Sequence, residues 1–468
     1  MNEKILVNKT HPCPRVKETT FVKEENSLKE EILLDKRASK AYQLLKKNLK
    51  EQGITIELAS GYRSFSEQQE IIDEFQKEYG DDYVKKYVAK VGESEHHTGL
   101  CFDIYLEQNG KKILENDDLL AKEQEPVFQK IHQELSKVGL ILRYPKGKET
   151  ITGYSYEPWH FRYVGKSTAQ KIEQEQLTLE EYEEKYNRSG VLLVNKPKGM
   201  TSREVVNKLT FLFDTQKIGH NGTLDPLATG VLVITINQAT KINELLTACT
   251  KEYIATVKVG YKTDTLDVEG IILEKGDSHL NQEKLQDVFQ TFPREYDQEV
   301  PLYSAKKVKG KKLYQYAREN KAVSLPKQHV ILYELELQNM TEDSFTFRTV
   351  VSKGTYIRSL IRDLSLSCGQ LFTMSNLIRT KQGKFSLEEC YVLDDITSDT
   401  PFLSIKEALD MKALPIPVEE KTKIKNGHPI KNQYGIKDFV LFEEQGKEIA
   451  IYQAEGENLR SYKQFSSI

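Results

Sequence analysis

Hydrophobic positions in the first part of the chain change between helical and extended spacing. Apolar residues between Ala41 and Leu49 recur every three to four positions, which predicts a helix. Residues 54–58 then alternate between apolar and polar side chains, which is typical of a half-buried strand. Ser66 and Gln69 have the spacing of a capping box, so a second helix is predicted to begin there. This part of the chain therefore mixes helices and strands.

The pattern changes near residue 188. Residues 169–188 are highly charged and contain no Gly or Pro, which predicts a linking helix. Beyond it, Ser202 is predicted to cap a helix, and apolar or alternating segments predict strands at 191–194, 231–236, 253–259, 345–351, 439–442 and 449–452. The sequence therefore predicts a domain over 1–168, a linking helix over 169–188, a domain over 189–393 and a small β-rich domain over 394–468.

The composition is that of a globular protein with more than one hydrophobic core. The chain has 468 residues, 38% of them hydrophobic and 29% charged, and a single core rarely grows beyond about 250–300 residues. No apolar run approaches the roughly 18 residues that span a bilayer, and the start, MNEKILVNKT, lacks the apolar core of a signal peptide. We therefore expect a cytoplasmic protein with no membrane partner.

Cysteine spacing and net charge argue against two further classes of protein. The five cysteines are scattered and never form a CxxC pair, which argues against a disulfide framework and a thiolate zinc site. The net charge of -3 provides no global positive field for a nucleic acid. Basic residues are nevertheless concentrated between Lys306 and Lys327. Any nucleic acid would therefore meet local positive charge only.

Two histidines and two carboxylates form the first set of candidate catalytic residues. His96 and Asp103 are seven positions apart, and Glu157 precedes His160 by three. Two His and one carboxylate leave one coordination position open, which a hydrolytic zinc uses to hold water and lower its pKa. Glu157 would then be the general base. A lone SxHxxGxxxD segment is more often a turn, however, and spacing alone does not show that these residues meet.

Four segments of this half resemble one family. They are SGYRS (60–64), SEHHTGLCFD (94–103), LRYPKGKE (142–149) and TGYSYEPWHFRYVG (152–165). Together they resemble the zinc D-alanyl-D-alanine carboxypeptidases of the VanY-like family, over roughly residues 1–185. The resemblance implies a zinc D,D-peptidase fold and a set of roles: zinc ligands His96, Asp103 and His160, catalytic base Glu157, and transition-state arginine Arg63.

Two further residues of the second segment, His97 and Cys101, lie close in sequence to the implied zinc ligands. His97 occupies a variable position of the family's motif, so we interpret it as a neighbour of the site and not as a ligand. Cys101 stands where the family usually has Ala; its thiol could contact metal, but we interpret it as a small buried filler. Family members that act on mature cell wall are exported. Without a predicted signal, we expect a cytosolic peptide ending in D-Ala-D-Ala, such as a cell-wall precursor, as the substrate.

A second candidate site lies in a glycine-rich loop. Residues 217–230 contain three glycines around a single carboxylate, Asp225, and lead into an apolar strand. Glycine permits tight backbone turns and the close approach of a ligand. Asp225 is therefore a candidate nucleophile, although a helix or turn cap is an equally good interpretation of this segment alone.

Five segments of the second half, taken in order, resemble a second family. They are GVLLVNKPKGMTS (190–202), the glycine-rich loop (217–230), KEYIATVKVGYKTDTLDVEG (251–270), VPLYSAKKVKGKKLYQYAR (300–318) and SKGTYIRSLIRDL (352–364). They resemble the tRNA pseudouridine synthase B family across essentially all of residues 189–468. The resemblance implies a mixed-sheet α/β catalytic domain that converts uridine 55 in the T-loop of tRNA to pseudouridine, without metal or organic cofactor.

The same resemblance assigns roles in the reaction. Asp225 is implied to attack or stabilise the sugar or the base, and Arg358 to keep that carboxylate ionised and aimed. Tyr253 is implied to stack on the uracil, and Tyr356 to line the pocket. The target base must leave its folded loop, and His220 is expected to insert into the gap.

Contacts with RNA are expected from local lysines and from the last domain. The lysines near residue 310 interleave with tyrosines, so we expect phosphate contacts from Lys306, Lys307, Lys309, Lys311 and Lys312. Asn221 replaces a usual Thr of the family, and Ile378 replaces a common second Arg. Residues 394–468 resemble the small β domain that grips the acceptor arm of tRNA.

The sequence as a whole predicts an α+β multidomain chain with two enzymes. We expect a monomer that carries a Zn²⁺-dependent D-alanyl-D-alanine carboxypeptidase or dipeptidase and a tRNA uridine-55 pseudouridine synthase. Two alternatives stay open: the first domain is a non-catalytic, zinc-stabilised module, or the second half acts chiefly as a tRNA-folding chaperone. The intact set of candidate catalytic residues in each half favours the two enzymes.

Overall fold

The protein divides into two compact units in the computed structural model. The structure describes residues 3–14, 21–81, 83–84, 88–108, 111–112, 125–319 and 321–465. The division falls between Arg188 and Ser189. Each unit has its own β-sheet and its own hydrophobic core.

The first unit combines an antiparallel sheet with six helices among its described residues. Its strands are β1 (Phe21–Glu25), β2 (Glu31–Asp35), β3 (Ile56–Ser60), β4 (Cys101–Gln108), β5 (Lys111–Lys112), β6 (Leu140–Leu142) and β7 (His160–Tyr163). Its helices are α1 (Lys36–Lys50), α2 (Phe65–Tyr79), α3 (Glu125–Val138), α4 (Glu149–Thr152), α5 (Lys166–Glu175) and α6 (Leu179–Tyr186). The sheet has the order β3-β4-β7-β6 with β5 on β4, and β1 and β2 form a separate hairpin.

The register of this sheet separates the core from the candidate site. Phe102 on β4 lies opposite Phe161 on β7, and both side chains are completely buried. Residues of α1 and α3 pack in the same core cluster. Because successive side chains of a strand point to opposite faces, Asp103 and its partner His160 lie on the other face of the sheet. One pair of strands therefore supplies both core and site.

The second unit contains a large mixed sheet and a small one. Its strands are β8 (Gly190–Lys196), β9 (Ile218–Asn221), β10 (Thr229–Ile236), β11 (Lys251–Val259), β12 (Tyr261–Thr263), β13 (Ile272–Lys275), β14 (Glu295–Glu299), β15 (Lys307–Val308), β16 (Lys311–Lys312), β17 (Lys327–Met340), β18 (Ser344–Val351), β19 (Phe372–Gln382), β20 (Phe385–Ser386), β21 (Tyr391–Val392), β22 (Ala413–Pro415), β23 (Ile430–Lys431), β24 (Phe439–Glu444), β25 (Lys447–Glu455) and β26 (Asn458–Gln464). Its helices are α7 (Ser202–Leu212), α8 (Asn243–Thr247), α9 (Gln282–Thr291), α10 (Leu313–Arg318), α11 (Ile357–Cys368), α12 (Ile405–Leu409) and α13 (Lys421–Lys425).

The large sheet runs β14-β17-β18-β11-β19-β10-β8-β21, with β9 on β10 and β20 on β19. Burial alternates strictly along β11 and β18, as the alternation in their sequences predicts. Helix α11 buries Leu360, Ile361 and Leu364 in the same core cluster. This packing holds the first turn of α11, which carries Arg358, next to the sheet. The small sheet has the order β22-β24-β25-β26-β23.

The predicted fold class is confirmed: each unit mixes helices with a sheet, and the chain ends in a small β-rich region. Within the described residues, no helix combines the length and the apolar character needed to cross a bilayer.

Two predicted caps are wrong. Ser64 with Glu67 caps α2 in place of Ser66, and Thr201 with Glu204 caps α7 in place of Ser202. The cap is the last residue with an extended backbone, and Ser66 and Ser202 already lie inside the helices.

The segment for which the sequence predicts one linking helix forms two helices. Gln176 adopts a left-handed backbone (φ +53°) that ends α5, and Thr178 with Glu181 caps α6. Both helices pack on the first unit, where Ile172 and Tyr182 are buried in one cluster. These residues therefore belong to the compact first unit.

A substitution at Gly230, near the start of β10, tests how closely the parallel strands β10 and β19 must approach each other. Its φ is +106°, and a Cβ there would meet the carbonyl oxygen of Arg379 on β19 at 2.2 Å. Gly230→Ala should therefore lower the free energy of unfolding of the second unit by about 3 kcal/mol, from left-handed strain plus overpacking. Hydrogen–deuterium exchange of peptides from β10 and β19 measures this loss.

Gly446→Ala is the matched control for Gly230→Ala. Gly446 also has a positive φ (+76°), but nothing lies within 4 Å of the position of its Cβ. Gly446→Ala should then lower the free energy of unfolding by only about 1 kcal/mol, from backbone strain alone. Equal losses in the two variants would contradict the argument from close strand packing.

Candidate active sites

The first candidate site is assembled from a short 3₁₀ turn and two neighbouring strands. His96 lies in the turn Glu95–Thr98, Asp103 on β4 and His160 at the start of β7. Nε2 of His96 lies 3.3 Å from Oδ2 of Asp103, and Nδ1 of His160 lies 2.9 Å from Oδ1 of the same carboxylate. All three side chains are buried. The structure thus brings together the three residues that the sequence predicts as metal ligands.

The other nitrogen of each imidazole in this cluster faces an acceptor oxygen. Nδ1 of His96 donates to the carbonyl of Gly61 at 2.7 Å, which leaves Nε2 facing Asp103. Nε2 of His160 lies 3.6 Å from Oε2 of Glu95. Metal-binding imidazoles are usually oriented in this way, by a carbonyl or a carboxylate at the nitrogen that does not bind metal.

Glu95 is fully buried between two arginines. Its Oε1 accepts from Nε of Arg143 and from Nη1 of Arg162, each at 2.7 Å, and neither arginine side chain is exposed. Burial alone would raise the pKa of Glu95, but the two guanidinium groups outweigh burial and hold the pKa well below its usual value. An ionised carboxylate therefore stands beside His160.

Glu157 and Arg63, the predicted base and the predicted arginine, border the cluster. Oε2 of Glu157 lies 3.5 Å from Nδ1 of His160, and burial raises the pKa of Glu157 to about 7. Such a carboxyl group can accept and release a proton near neutral pH. Arg63 donates to Gln68 at 2.9 Å, and its charge is close enough to His96 to oppose protonation of that ring.

His97 uses both ring nitrogens outside the cluster. Its Nδ1 donates to the carbonyl of Arg63 at 2.7 Å, and its Nε2 accepts from the backbone N–H of Gly92 at 3.1 Å. Neither nitrogen is left for a metal. The geometry therefore agrees with the interpretation of His97 as a neighbour of the site.

Cys101 lies next to His96 and His160, which a residue that only fills the core does not require. Its sulfur and one ring nitrogen each of His96 and His160 all lie within 4.8 Å of one another. Cys101 precedes Asp103 by two positions on β4, so strand alternation places both side chains on one face. That alternation is the signal by which the sequence could have assigned this thiol to the site.

The second candidate site is an ion pair between a loop and a helix. Asp225 lies in the loop between β9 and β10, and Arg358 lies in the first turn of α11. Nε of Arg358 donates to Oδ2 of Asp225 at 2.8 Å, and Nη2 donates to Oδ1 at 3.1 Å. The Asp225 side chain remains 34% exposed while the arginine is buried. The carboxylate can therefore meet a substrate while it stays paired.

Backbone carbonyls fix the orientation of Arg358. Its Nη1 donates to the carbonyl of Thr265 and its Nη2 to that of Tyr303, each at 2.9 Å. Each of the three guanidinium nitrogens thus has a partner, and the edge that carries Nε and Nη2 is held toward Asp225.

Two tyrosines are predicted for this site, and the structure places them on β11 and immediately before α11. Tyr253 on β11 is buried in the core cluster that also contains Leu224, the residue before Asp225. Tyr356 directly precedes α11, and its backbone N–H donates to Gln298 at 2.9 Å. Burial raises the pKa of Tyr356, and the charge of Asp225 raises it further, which places that phenol within electrostatic reach of the carboxylate.

The predicted RNA-binding residues occupy β9 and a short hairpin. His220 on β9 is half-buried, and burial lowers its pKa, so that the ring is neutral at physiological pH. Lys307 and Lys312 pair across the hairpin of β15 and β16. Lys311 forms an ion pair with Glu319, so its charge is already partly compensated. The remaining lysines of the set, Lys306 and Lys309, are exposed.

Lys196 is a residue of the second site that the sequence analysis overlooks. Its side chain is completely buried, and its ammonium donates to the carbonyls of Pro197, Met200 and Pro226 at 2.9, 2.5 and 3.3 Å. Burial lowers the pKa of Lys196 to about 8, although the charge of Asp225 opposes this shift. This lysine ties the turn after β8 to the loop that presents Asp225.

Comparison with known proteins identifies the class of each unit. The TruB family pseudouridylate synthase (N-terminal domain) matches residues 210–357, and the VanY D-alanyl-D-alanine carboxypeptidase family matches residues 31–166. The fold and the two sites thus define a pseudouridine synthase fused to a carboxypeptidase-type domain, as the sequence predicts.

Curated relatives identify the family of the second unit. The tRNA pseudouridine synthase B of Caldicellulosiruptor saccharolyticus is 40% identical over 242 residues, which cover 52% of this chain and 83% of the relative. The protein of the same name from Caldanaerobacter subterraneus is 40% identical over 59% of this chain and 99% of its own length. The chain belongs to the tRNA pseudouridine synthase B family.

Solved structures resemble each half. The vancomycin resistance D,D-pentapeptidase VanY, in complex with Zn(II), is 35% identical over 38% of this chain and 98% of that chain, with a TM-score of 0.32. A Cbf5-Nop10-Gar1 complex contains a chain that is 24% identical over 60% of this chain and 86% of its own length, with a TM-score of 0.46.

Glu95→Ala tests the buried charges beside the first site. The substitution leaves Arg143 and Arg162 without their shared carboxylate, and breaking such a buried pair costs about 3–5 kcal/mol. Trp159 is the single tryptophan of the chain and lies in this unit, so denaturant unfolding followed by tryptophan fluorescence measures the loss. In the control, Glu25→Ala removes an exposed pair with Lys29 and should leave stability nearly unchanged. A similar loss in both variants would refute the role of buried charge.

Proposed function

We propose that the second unit isomerises uridine 55 in the T-loop of tRNA to pseudouridine, with Asp225 as the catalytic carboxylate. The observation that carries this proposal is the bidentate pair of a partly exposed Asp225 with a buried Arg358. Membership of the tRNA pseudouridine synthase B family supports the reaction class.

The reaction breaks the bond between uracil N1 and the ribose, joins the same ribose carbon to C5 of uracil, releases the proton of C5 and leaves N1 protonated. Asp225 attacks or stabilises the sugar or the base during this exchange, and Arg358 holds the carboxylate in place by two hydrogen bonds. Tyr253 stacks on the uracil and Tyr356 lines its pocket. The reaction needs no metal or organic cofactor, because a carboxylate and a proton acceptor supply the chemistry.

RNA recognition is proposed for surfaces outside the reaction centre. The guanidinium of Arg358 already uses four of its five N–H groups within the protein. Phosphate contacts therefore fall to the lysines of the hairpin, and His220 inserts where the target base leaves its stack. The region 394–468 holds the acceptor arm of tRNA, and 189–393 forms the catalytic domain.

For residues 1–168 of the first unit, we propose a zinc-dependent D-alanyl-D-alanine carboxypeptidase. The residues fit Zn²⁺: Oδ1 of Asp103 is buried without a hydrogen-bond partner among the described residues, although Nδ1 of His160 lies 2.9 Å away. Two imidazole nitrogens and a carboxylate are suitable zinc ligands. His96, Asp103 and His160 would hold the ion, which would lower the pKa of a bound water.

The protein's own groups then act on the peptide. Glu157, whose pKa is raised to about 7, accepts a proton at its carboxylate and returns it to the leaving amine. Arg63 binds the terminal carboxylate of the substrate or the developing oxyanion. The substrate we propose is a cytoplasmic cell-wall precursor ending in D-Ala-D-Ala, acted on by a monomeric chain.

Asp225→Asn tests the synthase. Release of tritium from tRNA labelled at C5 of uracil should fall to background, because the amide cannot replace the carboxylate. In the control, Asp343→Asn removes a surface carboxylate of the same unit that pairs with Lys258, and tritium release should stay at the wild-type rate. Turnover by the Asp225 variant would disprove the assignment of the catalytic carboxylate.

Metal analysis and peptide hydrolysis test the first unit. The purified chain should contain about one zinc, and the double variant His96→Ala, His160→Ala should contain none. Glu157→Gln should keep the metal and lose about 10²–10⁴-fold in D-Ala release from a pentapeptide precursor. His97→Asn is the control that keeps the metal. A zinc-loaded wild type that releases no D-Ala would support a non-catalytic module instead.

A further inference from the structure

A thiol lies beside the proposed zinc ligands. The Sγ of Cys101 shares a cluster with nitrogens of His96 and His160 in which all atoms are within 4.8 Å of one another. Its side chain is completely buried, as are the two rings to within a few per cent. The thiol therefore faces the imidazoles in a space that water reaches poorly.

The spacing of these atoms matches the size of a tetrahedral metal site. Zinc binds sulfur at about 2.3 Å and imidazole nitrogen at about 2.0–2.1 Å, so the two kinds of ligand lie about 3.5 Å apart in a tetrahedron. Bringing three atoms from within 4.8 Å to that separation takes rotamer adjustments of about 1 Å. Asp103 is outside that cluster of three but faces both histidines, at 3.3 Å from Nε2 of His96 and 2.9 Å from Nδ1 of His160, and its Oδ1 is buried without a hydrogen-bond partner among the described residues.

We propose that Cys101 is a fourth protein ligand of this metal, so that the resting centre is bound by His96, Cys101, Asp103 and His160. The assignment rests on the proposed metal site of the first unit. Catalytic zinc centres have three protein ligands and a water, whereas four protein ligands close the site. In the resting protein, the position for water is then taken by sulfur, and a ligand must leave or the coordination must expand before water binds.

Cys13 supplies an internal comparison. It is also buried in the first unit, but its thiol donates to the carbonyl of Pro14 at 3.3 Å, and its sulfur is not part of the cluster. Replacing Cys13 removes a buried thiol without touching the proposed ligand set. It therefore separates a loss of sulfur at the metal from a general effect on packing.

The test uses the full chain loaded with Co²⁺ in place of zinc. A thiolate ligand produces an intense sulfur-to-cobalt charge-transfer band in the near ultraviolet, which nitrogen and oxygen ligands do not produce. We expect this band at one cobalt per chain in the wild type and in Cys13→Ala. Cys101→Ala and Cys101→Ser should lose the band and still bind one cobalt.

X-ray absorption at the zinc edge provides a second readout. The wild type should show about one sulfur at about 2.3 Å, and Cys101→Ser should show only nitrogen and oxygen. Cobalt or zinc bound to the wild type without sulfur overturns the fourth ligand and leaves the proposed peptidase intact. A wild type that binds no metal overturns both proposals, because the site itself would be absent.

Discussion

Each unit depends on a carboxylate that is paired with a buried arginine. A carboxylate that leaves water loses hydration, and only a nearby positive charge with well-placed donors compensates for that loss. In the first unit, Arg143 and Arg162 share Glu95. In the second, Arg358 holds Asp225 by two parallel hydrogen bonds. The first site thereby obtains a buried, ionised carboxylate beside His160, and the second obtains an oriented carboxylate that remains partly exposed.

The arginines themselves are positioned by the backbone. Arg162 donates to the carbonyls of Glu3 and Ile5, and Arg358 donates to those of Thr265 and Tyr303. A guanidinium has more donors than one carboxylate can accept. The surplus donors tie loops that are distant in sequence to the site. The geometry of each carboxylate therefore reflects the rigidity of the fold around it.

Sequence patterns were most informative where one physical cause dominated. Strict alternation in β11 and β18 predicts their buried faces, because each strand has one face in the core. The segments around His96 and Asp225 indicated a chemistry because the family resemblance covers both flanks of each residue. The caps at Ser64 and Thr201 were missed by one or two residues, since nearby hydroxyls fit the same pattern and backbone geometry decides between them.

The remaining features depend on tertiary contacts. Glu95, Arg143 and Lys196 are charged residues with no sequence sign of burial, and charged residues are normally exposed. The partners of Glu95 are 48 and 67 residues away, and the acceptors of Lys196 include one carbonyl 30 residues away. Only the folded chain reveals such contacts. Cys101 differs, because its relation to Asp103 follows from strand geometry alone.

The separation of the paired residues along the chain also sets when each site can form during synthesis. His96, Asp103 and His160 lie within 65 residues, and the neighbouring charge network around Glu95 ends at Glu180, which pairs with Arg143. Asp225 and Arg358 are 133 residues apart, and carbonyls from two intervening loops complete the pair. Since domains generally fold as units, with the N-terminal one first as the chain emerges, the first unit can complete its site while the synthase unit still lacks its arginine.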